Sequence, residues 1–342
     1  MRPFTFDNAS DSKAAITAFG DTGQDGKSAA SAPAQYLAGG TTLIDLMKLD
    51  VMRPSKVISI NALQQANGAI ELGDQGLKLG ALVRMAQAAD HPDVQKNFPV
   101  IAQSLQLAAS PQIRNMAALG GNVLQRTRCP YFRDTSYAHC NKRNPGSGCA
   151  ALDGFNRMHA VLGTSDQCIA TYPGDFAQAL LALDAEVELD GARGKRRIPF
   201  ANLHQLPDKD PSFETSLVPG ELITAFAVPA TPFAKRSLYL KIRDRESYEF
   251  ALASAAVAID LDGGNVKQAR IALGGVATVP WRAKEAEAAL AGKALNEASA
   301  KAAAEAAFAQ AKSREHNAFK IELGKRTLTR ALLQAAALEI PT

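Results

Sequence analysis

The chain has 342 residues, enough for two domains with a core each, and its 46% hydrophobic and 21% charged residues are ordinary for a globular protein. A formal charge of +4 with no long basic run leaves no electrostatic footprint for nucleic acid, and the most apolar stretch, Ala251 to Ile259, is about half of what a membrane-spanning helix needs. Met1-Arg2-Pro3-Phe4 opens on no apolar signal core, which implies synthesis in the cytoplasm and export only as cargo of a partner that carries a signal.

The first 60 residues read as a small α/β unit. Gly20 to Pro33 is rich in Gly, Ser and Ala and reads as a loop; Gln35 to Ala38 reads as a short strand. After the turn Gly39-Gly40-Thr41-Thr42, Leu43, Leu46, Met47 and Leu49 recur at helical spacing, and Val57 to Ile60 resumes as a strand. Ala69 to Gly80 reads as a hairpin about Gly73-Asp74-Gln75-Gly76. Helical patterns follow near Val83 to Ala89, Phe98 to Ala109 and Gln112 to Asn122. Arg126 to Gly148 shows little regular pattern, and His159 to Leu162 reads as a strand. A helix at Asp175 to Leu183, a strand at Ala185 to Leu189 and a strand at Leu222 to Val228 come next. Pro229 to Lys235 looks like a linker. Beyond it, strand-like runs at Leu238–Ile242, Phe250–Ile259 and Gln268–Leu273 precede Ala-rich helical sequence from Trp281 onward, including Ala298–Ala311. The sum is an α+β protein, with a three-stranded antiparallel sheet and helices in its second part.

Two glycine loops stand out. Ala38-Gly39-Gly40-Thr41-Thr42 lies between a strand and a helix, where glycine freedom, successive N–H groups and the helix N-terminus suit a pyrophosphate. Leu119-Gly120-Gly121-Asn122, preceded by Arg114 and Asn115, is a second such loop. A tight turn explains either one alone, and neither is the G-x-G-x-x-G fingerprint; together they lean towards a dinucleotide.

All four cysteines, Cys129, Cys140, Cys149 and Cys168, fall within one 40-residue stretch. The close C-x₂₋₄-C pairs of structural zinc and the C-x-x-C of thioredoxin chemistry are both absent. Four thiolates from one loop-rich excursion meet the demand of a [4Fe–4S] cluster, while zinc or inert buried cysteines stay open on spacing alone. Arg126, Arg128, Arg133, Lys142 and Arg143 lie close in sequence, and positive charge lowers thiol pKa. Gly146, Gly148 and Gly163 allow tight reversals around a bulky group. The five histidines, His91, His139, His159, His204 and His316, are scattered and read as surface or core residues.

Cys129-Pro130-Tyr131-Phe132-Arg133-Asp134, Cys140-Asn141-Lys142-Arg143 and Pro145-Gly146-Ser147-Gly148-Cys149 resemble a segment in one branch of the xanthine dehydrogenase family. That branch includes the FAD subunits of bacterial aldehyde oxidoreductases, which carry an extra [4Fe–4S] cluster. His159 to Gly163 and Cys168-Ile169-Ala170 continue the match, and it extends over nearly the whole chain. Gly220 to Ile223, Lys241 to Arg245, Gly274 to Ala277 and Pro280-Trp281-Arg282 resemble further family segments.

The resemblance implies an FAD-binding α/β domain in two parts over residues 1–228, divided near residue 60, with an iron–sulfur insertion at 126–168 and a C-terminal domain at 229–342. Leu37, Ala38, Gly39, Gly40, Thr41, Thr42 and Leu43 would form the first FAD loop, and Arg114, Asn115, Ala118, Leu119, Gly121 and Asn122 the second. Asp175, Ile223 and Lys241 would complete the flavin site, Asp175 on ribityl or ribose hydroxyls and Lys241 beside the flavin ring. Without the resemblance, Asp175 reads as a helix N-cap and Lys241 as a solvated strand residue. Cys129, Cys140, Cys149 and Cys168 would hold the cluster. The implied partners are a molybdenum-cofactor large subunit and a small subunit with two [2Fe–2S] clusters. The loop 20–33 reads as longer than the family's usual form. Three other readings are a flavin subunit of a 4-hydroxybenzoyl-CoA-reductase-like or xanthine dehydrogenase enzyme, a zinc-stabilised scaffold with no redox role, and a free-standing flavin oxidase, for which the scattered histidines offer no base.

Overall fold

The computed structural model describes residues 1–20 and 28–340, so the expected loop 20–33 lies partly outside the described residues. β1 (Thr5–Asn8), β2 (Ala34–Leu37) and β3 (Lys56–Ser59) form a parallel sheet in the order β1-β3-β2. α1 (Ser12–Phe19) starts at Asp11, whose carboxylate accepts from the Ala14 amide at 2.7 Å, a capping bond that stabilises a helix by about 1 kcal/mol. α2 (Leu43–Lys48) follows the first glycine loop. Neighbouring residues of β3 face opposite ways. Ile58 packs with Ala15 and Phe19 of α1, while Val57 packs with Leu46 and Met47 of α2.

α3 (Gln64–Asn67) leads into β4 (Ile70–Gly73) and β5 (Gly76–Gly80), the expected hairpin. The helices α4 (Met85–Asp90), α5 (Pro92–Asn97), α6 (Pro99–Gln106), α7 (Pro111–Met116), α8 (Leu119–Val123) and α9 (Pro130–Arg133) are short, four of them starting on proline. After α10 (Phe176–Ala182) come β6 (Glu186–Gly191), β7 (Gly194–Pro199) and β8 (Leu222–Pro229), which complete an antiparallel sheet in the order β4-β5-β8-β6-β7. Leu77, Leu79, Val187, Leu189, Phe226 and Val228 of that sheet meet Ile101, Leu105, Phe176 and Leu180 of α6 and α10 in one core.

β9 (Ser237–Ile242), β10 (Ala253–Asp262), β11 (Asn265–Gly274) and β12 (Trp281–Arg282) form the last sheet. It has four antiparallel strands where three were expected. Trp281–Arg282 pairs with Leu273 and Ala272, and two residues are too few to show an alternation inside sequence that otherwise reads as helix. α11 (Lys284–Leu290), α12 (Glu297–Ala307) and α13 (Phe319–Ala336) cover one face of it. β10 is buried on both faces: Ala255, Val257 and Ile259 lie under the helices, and Ala256 and Ala258 lie in the core of the five-stranded sheet. Small residues on that second face let α6 and α10 approach closely.

His159 to Leu162 forms no regular strand. The Val161 and Leu162 amides both donate to the Val276 carbonyl, at 2.8 and 3.0 Å, with one isolated bridge from Leu162 to Ala277. Among the described residues, no helix is long and apolar enough to cross a membrane.

Candidate cofactor sites

The two glycine loops lie against each other. A Cβ on Gly39 would fall 2.0 Å from the Met116 carbonyl oxygen, so only glycine lets the first loop touch the second. Gly40 takes a φ of 75° and turns the chain into α2, whose first bonds run from Ile44 to the Gly40 carbonyl and from Leu46 to that of Thr42. Arg84 fastens the pair, donating to the Met116 carbonyl at 2.7 Å and to Asn61 at 3.2 Å, while Asn61 donates to the Ala38 carbonyl at 3.1 Å. In the second loop the Gly120 amide is held by the Ala81 carbonyl at 2.8 Å. A Cβ on Gly121 would meet nothing within 4 Å, and Asn122 Oδ1 is buried with no partner.

Residues 37–43 together with Ala118 and Gly121 line a cavity of about 200 Å³, which shares Arg126, Gln35 and Met52 with a neighbouring cleft of about 500 Å³. A backbone cradle and an open position at Gly121 suit a polar, extended ligand; Asn122 does not line the cavity. The cavity also takes in Glu214 and Thr215, which the sequence reading missed, and Gly220 and Glu221 of the segment that resembles one of the family's. The first two come from the irregular stretch between β7 and β8, where no periodicity marks them.

The remaining expected flavin residues divide. Arg114 donates to the Ala108 carbonyl at 2.8 Å, and Asn115 is exposed; neither lines this cavity. Ile223 is buried in the core on β8. Asp175 and Lys241 lie apart from the loops and pair with each other at 2.8 Å, their side chains 5% and 1% exposed. Lys241 also donates to the Leu107 carbonyl at 3.0 Å, and the Tyr239 hydroxyl donates to Asp175 at 2.6 Å. Burial, then the Asp175 charge, holds that phenol well above its ordinary pKa. Lys241 is thus no solvated strand residue, and Asp175, although at the N-cap position of α10, makes no side-chain cap bond. Both amide atoms of Gln178 and the Ser254 hydroxyl are buried nearby without partners, and a Cβ on Gly274 would meet both groups.

The cysteine-bearing stretch packs Phe132, Cys129 and Cys140 against Leu46, Met47, Met52 and Val57. Cys140 and Cys149 sit opposite each other in an antiparallel bridge. Gly146, Gly148 and Gly163 have φ of 83°, 95° and 62°, the reversals the glycines were expected to supply. The Ala170 amide donates to the Cys168 sulfur at 3.4 Å, while the Phe132, Arg143 and Leu152 amides donate to the carbonyls of Cys129, Cys140 and Cys149. All four cysteines are free of disulfides.

The expectation that nearby basic residues depress the thiols needs correcting. Burial dominates at Cys129, pushed up to about 12, and at Cys140, although the Arg143 charge opposes it at Cys140. Only Cys149 is lowered, because the Cys168 thiol donates to it. Most of the cations are engaged elsewhere. Arg128 and Arg133 grip Asp45 of α2, and Arg143 bonds the carbonyls of Tyr131, Phe132 and Tyr137. Arg126 and Lys142 clasp Glu214 at 3.0 and 2.9 Å. Burial pushes the Glu214 carboxyl up, but those two charges outweigh it and hold it down to about 2. His159 is also no bystander: it is buried, with Nε2 3.1 Å from the Cys129 sulfur. Among the described residues, no three His, Cys, Asp or Glu side chains converge as a ligand set for a single metal ion.

Residues 21–231 match the FAD binding domain of molybdopterin dehydrogenases, and residues 238–335 match the C-terminal domain of CO dehydrogenase flavoproteins. The chain belongs to the FAD-binding medium subunits of the molybdenum hydroxylases. A 47% identical relative of this family is the aldehyde oxidoreductase FAD-binding subunit PaoB of Escherichia coli K12, aligned over 89% of this chain and 92% of PaoB. The glyceraldehyde dehydrogenase medium chain of Sulfolobus acidocaldarius is 28% identical over 76% of this chain and 74% of its own length. Among solved structures, a chain of carbon monoxide dehydrogenase from Hydrogenophaga pseudoflava superposes with a TM-score of 0.73 at 25% identity, covering 98% of this chain and 97% of that one. For CO dehydrogenase from Oligotropha carboxidovorans the score is 0.75 at 23% identity, covering 98% and 99%, which speaks to the fold alone. As a medium subunit of this family, the chain is an FAD-binding component of an oxidoreductase complex.

Proposed function

We propose that this chain is the FAD- and [4Fe–4S]-carrying electron-transfer subunit of a molybdenum-dependent aldehyde oxidoreductase. Its partners are a molybdenum-cofactor large subunit and a small subunit with two [2Fe–2S] clusters. The carrying observation is the 47% identity with an aldehyde oxidoreductase FAD-binding subunit, sustained over 89% of the chain. The division into residues 1–228 and 229–342 belongs to the same reading.

In this reading the loop amides of residues 37–43, with Thr41 and Thr42, hold the FAD pyrophosphate, and Ala118 and Gly121 close the cradle from the other side, with Leu119 and Asn122 on the same loop outside the cavity lining. Arg114 and Asn115 position the second loop from α7. Asp175, Lys241 and Ile223 are assigned to the flavin site by the family resemblance; they lie buried outside the loop cavity, the first two as an ion pair. FAD, when bound, supplies a two-electron carrier between the partner clusters and an external acceptor.

Cys129, Cys140, Cys149 and Cys168 take the [4Fe–4S] cluster. Support comes from four cysteines free of disulfides in one stretch, Cys140 opposite Cys149 and packed with Cys129, and from the Ala170 amide and His159 Nε2 that face the Cys168 and Cys129 sulfurs.

The test is anaerobic purification of the co-expressed complex, a visible spectrum, and assays of iron, sulfide and released flavin. A flavin band on a broad brown background, with about four irons per flavin beyond those of the small subunit, is the expected result. Flavin without the extra iron would remove the cluster and keep the flavin role. A colourless, zinc-holding chain would overturn the redox reading altogether.

A further inference from the structure

We infer that His159 is a positioning residue that sets the reduction potential of the four-cysteine centre, by donating its Nε2–H to the Cys129 sulfur. The inference rests on the reading of the four cysteines as cluster ligands.

The geometry is specific. His159 is 2% exposed, its Nε2 lies 3.1 Å from the sulfur, and its Nδ1 is buried with no partner. A buried donor without an acceptor costs more than a buried acceptor without a donor, so the proton belongs on Nε2, facing the sulfur. The Cys168 sulfur receives the Ala170 amide at 3.4 Å, whereas the donor at the Cys129 sulfur is this side chain.

The ring is also held from outside the cysteine stretch. Lys320 of α13 donates to the Met158 and His159 carbonyls at 3.1 and 3.3 Å. Asn317 donates to the Ala160 carbonyl at 3.1 Å, and the His316 amide donates to Asn156 at 3.0 Å. The last helix and its lead-in therefore fix the segment that aims the imidazole. Outer partners of this kind orient and tune metal ligands.

One electron added to the oxidised centre makes its sulfurs more negative, while the N–H bond stays intact and no proton moves. A hydrogen bond to a more negative acceptor is stronger, so His159 stabilises the reduced form more than the oxidised form and raises the potential.

The test uses the intact complex with His159→Phe, which removes the donor, and His159→Gln, which keeps an N–H. Dithionite titration with mediators, followed by electron paramagnetic resonance, reads the cluster and the flavin separately. The expected result is full iron in both variants, with the His159→Phe cluster about tenfold harder to reduce, about 59 mV for one electron. His159→Gln stays nearer the parent, and the flavin potential does not move. An unshifted cluster in His159→Phe at full iron overturns the inference and leaves the cluster reading standing. Loss of iron from both variants also overturns it, because the ring then merely holds the fold. A parent complex with no iron at the four cysteines overturns both.

Discussion

A Cβ on Gly39 would sit 2.0 Å from the Met116 carbonyl oxygen, whereas one on Gly121 would meet nothing within 4 Å. Backbone cannot swing aside as a side chain does, so Gly39→Ala must part the two loops, a strain of about 1–3 kcal/mol. The expected outcome is a lower melting temperature even for flavin-free protein, together with loss of bound flavin. Gly121→Ala should leave the flavin-free melting temperature unchanged and weaken only flavin retention, measured as flavin per chain after dialysis. Equal effects of the two in both assays would place the ligand elsewhere. Glu214 makes the second residue-scale prediction. Its folded pKa, about 2, is below the ordinary 4.5, so its stabilisation is complete above about pH 4.5 and disappears as pH falls towards 2. Glu214→Gln should cost about 3 kcal/mol near neutral pH, because Arg126 and Lys142 lose their shared partner, and should flatten stability against pH between 4.5 and 2. Urea titrations across that range would show it.

At the scale of elements, the Asp175–Lys241 pair ties the start of α10 to β9. Lys241→Met leaves a buried carboxylate with only the Tyr239 hydroxyl, and breaking a buried pair from one side costs about 3–5 kcal/mol. Adding Asp175→Asn to Lys241→Met should restore part of that loss, a coupling that a double-mutant cycle of melting temperatures measures. Strictly additive effects would contradict the pairing. The elements that sequence disclosed are those with an unbroken pattern: the hairpin around Asp74, the α10 helix, and β8 to β11. β7 stayed hidden because Lys195, Arg196 and Arg197 line an exposed edge strand, where charge is the usual guard against mispairing. β1, α1 and the two-residue β12 are too short or too exposed to impose a period. For the sites, the two glycine loops and the clustered cysteines stood out in the sequence, and the fold brings the two loops together. Glu214 and the contact of His159 with Cys129 did not stand out, since each depends on chain segments that meet only on folding.

For the molecule as a whole, one core joins the five-stranded sheet to the second face of β10 through α6 and α10, with Phe233 and Ala234 of the expected linker buried in it. A chain ending at residue 236 would expose that alanine-lined surface's counterpart on α6 and α10. It should therefore be insoluble or bind apolar dyes, and the full chain should melt in one transition by calorimetry. Two separated transitions would show that the halves fold independently.

The cysteine stretch is pinned at two places: to Asp45 on one side, and through Lys142 to Glu214, which shares with Arg126 the wall of the loop cavity. Whatever orders the thiols therefore also stiffens a wall of the loop cavity. On the four-iron reading this makes maturation sequential in its energetics. A chain that has not received its iron grips flavin less firmly, and by reciprocity a flavin-loaded chain retains iron more tightly. Iron starvation would then yield a subunit short of both cofactors, not a flavoprotein missing one.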